Sequence, residues 1–169
     1  VVFLDRDGVI NRGRVGYVRT PEHFEFLEGA VEAMAALRKA GYRLAIASNQ
    51  DVVGWRLIPE RQLRRIHDKM VSALNKAGVE IEEIYVCPHR VLSDCPCRKP
   101  RPGMLLAAAR DLGVTPRDAW MVGDKVLDVE LGRAIHRGQR AGMAVRRLGL
   151  APAEEPLAGR VLEGRLDEA

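Results

Sequence analysis

Cysteine is scarce in this chain of 169 residues: there are three, Cys87, Cys95 and Cys97, all in one short stretch. So odd and so local a set excludes a disulfide framework and leaves two readings, a metal site or a group of reduced, buried thiols. Long apolar runs are missing too. Nothing approaches the roughly 20 residues that a membrane span needs, and no charged-then-apolar leader is visible, so a soluble, cytoplasmic protein is expected. Lysine is also rare, with only five of the 27 basic residues, which leaves 22 arginines. These are scattered among 23 acidic residues for a formal charge of +4, so the surplus forms no stripe of the kind that binds nucleic acid. What is present is enough apolar residue, 47% of the chain, to bury a single core. One domain over residues 1–150 is expected, acting as a monomer, with a loosely attached tail of Ala, Pro, Glu and Gly over 151–169.

Val1 to Leu4 is a short apolar, β-branched run stopped by two acids, which predicts a buried strand delivering Asp5 and Asp7 at its C-terminal end. Asn11 to Glu28 reads as a functional loop broken by Gly13, Gly16 and Pro21. Ala30, Ala33, Met34 and Leu37 share one face of a helix over Ala30 to Lys39, closed by Gly41. Tyr42 to Ala47 predicts a second buried strand, ending at Ser48-Asn49-Gln50. Pro59 can take a first helical position before Leu63, Ile66, Met70 and Leu74. A strand over Ile81 to Val86, a helix over Met104 to Leu112 ended by Gly113, a helical turn at Thr115 to Asp118, a strand over Ala119 to Val122 and a helix through Leu127, Leu131 and Ala134 complete the pattern. Such alternation predicts an α/β fold: a Rossmann-like parallel sheet flanked by helices on both faces.

In that architecture ligands collect at the C-terminal ends of the strands, where the polar clusters fall: Asp5-Arg6-Asp7, Ser48-Asn49-Gln50, Gly123-Asp124-Lys125, and Arg98-Lys99 on a loop. Taken singly, an acid at a strand end is more often a cap or a surface charge. Together they carry chemistry. Side chains alternate along a strand, so Asp5 and Asp7 are expected to converge. With Asp124 they offer an all-oxygen site that suits Mg²⁺ rather than Zn²⁺. Carboxylate attack on a phosphate dianion is opposed by charge, which Lys99 and the cation would offset while Ser48 binds phosphoryl oxygens.

On these residues the chain resembles the haloacid dehalogenase superfamily of phosphatases, whose four motifs match Asp5-Arg6-Asp7-Gly8, Ser48-Asn49-Gln50, Lys99-Pro100 and Gly123-Asp124-Lys125 in order and spacing. More narrowly, Asp5 to Asn11, Cys87-Pro88-His89 and Cys95 to Met104 look like the branch that contains the histidinol-phosphate and heptose-bisphosphate phosphatases. The resemblance implies Asp5 as nucleophile and Asp7 as general acid and then base. It implies Ser48 on the phosphoryl group, Lys99 neutralising an aspartyl phosphate, and Mg²⁺ on Asp5, the Asp7 backbone carbonyl and Asp124. Asp128 would orient Lys99 or a metal-bound water. Asn11, Gly16, Tyr17, Asn49, Gln50, Arg98 and Lys125 match positions that line the substrate pocket. The branch also carries a structural zinc in a loop that replaces a larger cap domain, and Cys87, His89, Cys95 and Cys97 would supply the four ligands within residues 87–97.

The chain departs from the branch after Gln50, where a Ser-Gly and a later Arg give way to Asp51-Val52-Val53-Gly54-Trp55-Arg56. Asp51 is expected to repel an anionic substrate group and Trp55 to stack on a ring. His136, Arg137 and Arg140 are expected to face solvent. The function that follows is Mg²⁺-dependent hydrolysis of a small phosphorylated metabolite. A sugar bisphosphate such as heptose 1,7-bisphosphate is favoured, because Arg98 and Lys125 could hold a second phosphate. Histidinol phosphate, a nucleic-acid 3′-phosphate end, and a catalytically retired binding protein are the other readings. The nucleic-acid reading lacks an aromatic-interleaved basic groove.

Overall fold

Apolar residues occur on both faces of every central strand, and the chain uses them to build a sheet covered on two sides. The computed structural model describes residues 1–136; the tail expected at 151–169, together with Arg137, Arg140 and the side chain of His136, lies outside the described residues. Four parallel strands, β1 (Val2–Leu4), β2 (Leu44–Asn49), β3 (Ile84–Cys87) and β4 (Trp120–Val122), lie in the order β3-β2-β1-β4. Leu4 pairs with Ile46 on one side and Val122 on the other.

Among the described residues, five α-helices connect or follow the strands, α1 (Ala30–Lys39), α2 (Asp51–Gly54), α3 (Glu60–Lys76), α4 (Gly103–Leu112) and α5 (Val126–His136), with short 3-10 turns at Pro21–His23 and Pro116–Asp118. Val2, Leu4, Leu44 and Ile46 point to one face, where Met34 of α1 and Ile66, Met70 and Leu74 of α3 cover them. Phe3, Ala45 and Ala47 point to the other, against Met104, Leu105 and Ala108 of α4 and Leu131 of α5. The helices change face because the strand order reverses. The chain runs outward from β1 to β2 and β3, then crosses back to β4 beyond β1, and right-handed crossovers in opposite directions must use opposite faces. The reversal opens a crevice between the C-terminal ends of β1 and β4.

Most expected elements stand where the periodicity puts them, and the differences have local reasons. The second strand runs on to Asn49, because β3 pairs with it through Ser48 and Asn49. The third begins only at Ile84; the preceding residues already bond to β2, with the Glu82 amide donating to Leu44 O and the Ile46 amide to Glu83 O, but outside the ladder. Pro59 is the extended residue capping α3 rather than its first helical residue. The short α2 was not expected, since Val-Val-Gly has little helical preference. It is held by its surroundings: Val52 is fully buried in the core and Gly54 lies against the backbone of Pro88 and Arg90.

Candidate active site

The site is built on the crevice at the switch point. Asp5 follows β1 directly and is almost fully buried. Three donors converge on its Oδ1: the Arg6 amide at 2.7 Å, the Ser48 hydroxyl at 2.8 Å and Lys99 Nζ at 3.0 Å. The carboxylate is thereby fixed in rotation, and its Oδ2 is left facing Lys125 Nζ at 3.7 Å. Lys99 also donates to Asp128 Oδ1 at 2.6 Å, so one buried ammonium is shared between two buried carboxylates. Burial holds the Asp128 carboxyl above its ordinary value, with the Lys99 charge acting against that rise and Asp5 adding to it. Asn49 clamps the loop that carries Lys99, its amide donating to Lys99 O at 3.3 Å and its carbonyl accepting from Lys99 N at 3.0 Å.

Asp5 and Asp7 line the same cleft, but their carboxylates are held by different groups. Pleated alternation stops with β1 at Leu4, and the next residues form a tight turn in which the amides of Ile10 and Asn11 both donate to Arg6 O. The turn swings the Asp7 carboxylate onto Arg6, whose Nη2 donates to both of its oxygens at 2.9 and 2.8 Å. Asn11 at 2.9 Å and Gln50 at 2.7 Å complete the cage. Burial would raise the Asp7 carboxyl, but the Arg6 charge and the hydrogen bonds from Arg6, Asn11 and Gln50 win and hold it below its ordinary value. Asn11 and Gln50, expected in the substrate pocket, are thus buried supports of Asp7 rather than lining residues.

Besides this caged carboxylate, Asp7 offers its backbone carbonyl. Lys125 Nζ lies 3.4 Å from Asp7 O, 3.4 Å from Asp124 Oδ1 and 3.7 Å from Asp5 Oδ2. An ammonium amid three oxygens marks a place fit for a cation, and the donor set is the all-oxygen one a hard divalent ion prefers. Carboxylate oxygens of Asp5, Asp124 and Asp128 also lie within 4.8 Å of one another. Burial would lower the Lys125 ammonium, yet the carboxylates of Asp5 and Asp124 raise it above its ordinary value. Two glycines let this cluster close up: a Cβ on Gly8, itself at φ +93°, would overlap the Asp124 carboxylate, and one on Gly123 would overlap that of Asp128.

The cleft above these groups has a volume of about 360 Å³ and is lined by Asp5, Asp7, Ser48, Asn49, Lys99, Asp124, Lys125 and Asp128, with Arg14, Tyr17, Asp51 and Arg98 toward its mouth. Gly16 lies beside it on an exposed turn rather than in its lining. Asp51 does not stand as a bare charge: it is paired with Arg98 at 3.4 Å. Trp55 is outside the lining and carries the Arg90 guanidinium over its own ring, 5.0 Å from the centroid, in place of a ligand.

Residues 87–97 bring the thiols together as expected. Cys87 Sγ lies 3.7 Å from Cys95 Sγ and 3.6 Å from His89 Nδ1, and that nitrogen lies 3.2 Å from Cys97 Sγ. Metal–ligand bonds of about 2.3 Å to sulfur and 2.0–2.1 Å to nitrogen put the edges of a tetrahedron near these separations. The four donors therefore fit one Zn²⁺, and none of the thiols is in a disulfide.

The family model for haloacid dehalogenase-like hydrolases matches residues 2–136. The chain belongs to the haloacid dehalogenase-like hydrolases. Among the hydrolases it resembles, the D-glycero-beta-D-manno-heptose-1,7-bisphosphate 7-phosphatase of Pasteurella multocida is 39% identical over 138 residues, 78% of this chain and 74% of that one. The enzyme of the same name from Photorhabdus laumondii is 40% identical over 136 residues, covering 76% and 72%. A crystal structure of D,D-heptose 1,7-bisphosphate phosphatase from B. bronchiseptica, complexed with magnesium and phosphate, superposes with a TM-score of 0.75 at 32% identity, covering 86% of this chain and 90% of that one.

Arg6 and His67 were missed in the sequence. A fully buried arginine between two acids is a signal that can be read, since so large a cation in a core must find an anion. His67, on α3, lies with Nε2 3.2 Å from Arg6 Nη1. An arginine only donates, so Nε2 accepts and the ring proton is on Nδ1. Burial, then the Arg6 charge, pushes His67 down from 6.5 to about 4, with Asp7 acting the other way. The unfolded chain therefore takes up a proton as pH falls through 6.5, whereas the folded chain does not until about 4. Stability is lost as pH falls across that window, by on the order of 2 kcal/mol. Urea unfolding at pH 7 and pH 4.5 measures the loss, and His67→Gln is expected to shrink it; an equal loss in the variant contradicts the assignment.

Proposed function

We propose that this chain is a Mg²⁺-dependent phosphatase that hydrolyses a phosphate ester of a small sugar, heptose 1,7-bisphosphate above all, through a phosphoryl group carried on Asp5. The observation that supports it best is the Asp5 carboxylate, held by three donors on one oxygen at the foot of a cleft. The names of the relatives supply the sugar.

Bound at Asp5, Asp124 and the Asp7 carbonyl, Mg²⁺ would supply charge to offset that of the phosphate. An Asp5 oxygen attacks phosphorus, the phosphorus–oxygen ester bond breaks, and the sugar oxygen leaves with a proton from Asp7. Asp7 then takes a proton from water, whose oxygen displaces Asp5 and releases inorganic phosphate. Held anionic by Arg6, Asp7 suits the second step as it stands; the dianion entering the cleft raises its affinity for the proton that the first step needs. Lys99 and Ser48 stay on Asp5 throughout, where they offset its charge as it bonds to phosphorus.

Phosphate release with Mg²⁺ from heptose 1,7-bisphosphate, histidinol phosphate and an oligonucleotide 3′-phosphate tests this reading. Turnover of the sugar bisphosphate at least roughly tenfold above the others is expected, given what one good polar contact contributes to discrimination. Preferred turnover of histidinol phosphate or the oligonucleotide would replace it.

Zinc in the 87–97 loop belongs to the same proposal. The loop contributes few apolar side chains to the core, so a metal is what would hold it, and Lys99 follows Cys97 by two residues. Stripping zinc with a strong chelator is expected to open residues 88–98 to proteases while the far-ultraviolet dichroism persists. Turnover should fall about 100-fold, the usual cost of misplacing a catalytic group by about 1 Å, and return with added zinc. Protease resistance unchanged in protein shown to be metal-free would contradict a structural zinc.

A further inference from the structure

The geometry points to Asp51 as a specificity-determining residue: through its ion pair with Arg98 it sets how well the cleft accepts a second phosphate on the substrate. The inference rests on the sugar-phosphatase reading and deepens it.

Both terminal nitrogens of Arg98 are engaged within the protein. Nη2 lies 3.4 Å from Asp51 Oδ2, and Nη1 donates to the His89 carbonyl at 3.0 Å. Neither side chain is freely hydrated, since the exposed fraction is 15% for Arg98 and 11% for Asp51. The pair thus sits in a partly dry setting at the cleft mouth, where charge is felt more strongly than in water. Of the two other cations that could reach a distal group, Lys125 is drawn inward to Asp5 and Asp124, and Arg14 stands on an exposed loop.

The charge balance gives the pair its effect. Five carboxylates line the cleft against four cationic side chains. Asp51 is the carboxylate paired with a cation that none of the others engages, so the catalytic arrangement does not need it. A second phosphate entering near Arg98 meets a guanidinium already partnered by an anion and must lie close to that anion or displace it. A singly phosphorylated sugar, with only hydroxyls at its far end, meets no such opposition. Asp51 therefore narrows the advantage a bisphosphate would otherwise gain from Arg98.

Calorimetric binding of fructose 1,6-bisphosphate and fructose 6-phosphate, with Mg²⁺ and in an Asp5→Asn background so that neither is consumed, tests this. Adding Asp51→Asn is expected to tighten the bisphosphate about tenfold and leave the monophosphate within about threefold, as removal of one nearby unit charge predicts. Asp51→Ser, a smaller neutral residue, should do the same, and the monophosphate affinity shows that each variant is folded. Added Arg98→Ala should abolish the gain. Equal changes for both ligands, or a weaker bisphosphate, would overturn the inference. Turnover by the wild-type enzyme is measured separately: failure to hydrolyse any sugar phosphate sinks the phosphatase reading, whereas an unaltered ratio of affinities sinks only the role of Asp51.

Discussion

Asp5→Asn is expected to lower turnover of the preferred phosphate ester by roughly 10³-fold or more, because a neutral amide oxygen cannot form the covalent bond to phosphorus on which both steps depend. The folded state should hardly notice. The amide oxygen of asparagine can still accept from the Arg6 amide, Ser48 and Lys99, and Lys99 keeps its 2.6 Å bond to Asp128. A change in unfolding free energy within about 1 kcal/mol is expected. Turnover of the purified variant close to wild type, after deamidation has been excluded by mass, would show that Asp5 is not the nucleophile.

Lys99→Met should do the opposite and strike stability hardest. Lys99, Asp5 and Asp128 are each at most 3% exposed, so the ammonium is the counter-charge to two carboxylates that water barely reaches. Methionine fills similar volume and leaves both acids without it. Removing one partner of a buried ionic group costs about 3–5 kcal/mol. Asp128 will relieve part of that by binding a proton, since burial already holds its carboxyl above the ordinary value. The penalty should therefore shrink as the solution is made mildly acidic. Urea unfolding of both proteins at pH 8 and pH 5.5 measures it, and a penalty under about 1 kcal/mol at both would contradict the buried triad.

These expectations set Lys99 apart from the other cations of the cleft. The Lys125 side chain is about half exposed and its ammonium makes longer contacts of 3.4 to 3.7 Å, as befits a group beside a cation site rather than inside the core. Arg98 is tied to the zinc-type loop through His89 O and to α2 through Asp51. The loop and the segment after Gln50 thus meet at Arg98 and again at Arg90, which lies over Trp55 and donates to Gly54 O.

Much of the molecule could be read from the chain alone. Strand and helix periods, the glycine after α4 in the left-handed conformation at φ 62°, and acids placed where apolar runs stop led to the parallel sheet and to Asp5 and Asp124, while the four zinc-type ligands came from the family resemblance. Such features are local, or rest on motifs whose spacing is carried in the sequence. The orientation of Asp7 is not of that kind. Alternation along a strand holds only while the strand lasts, and β1 ends before the acids, so the direction of the carboxylate was decided by Arg6, Asn11 and Gln50. The roles of Asn11 and Gln50 as supports, of His67 behind Arg6, and of Arg98 as the partner of Asp51 likewise depend on residues up to 61 positions apart. Hydrophobic pattern determines which face of an element is buried, but not which polar groups meet across the sheet; that choice is made only when buried charges must be paired in three dimensions.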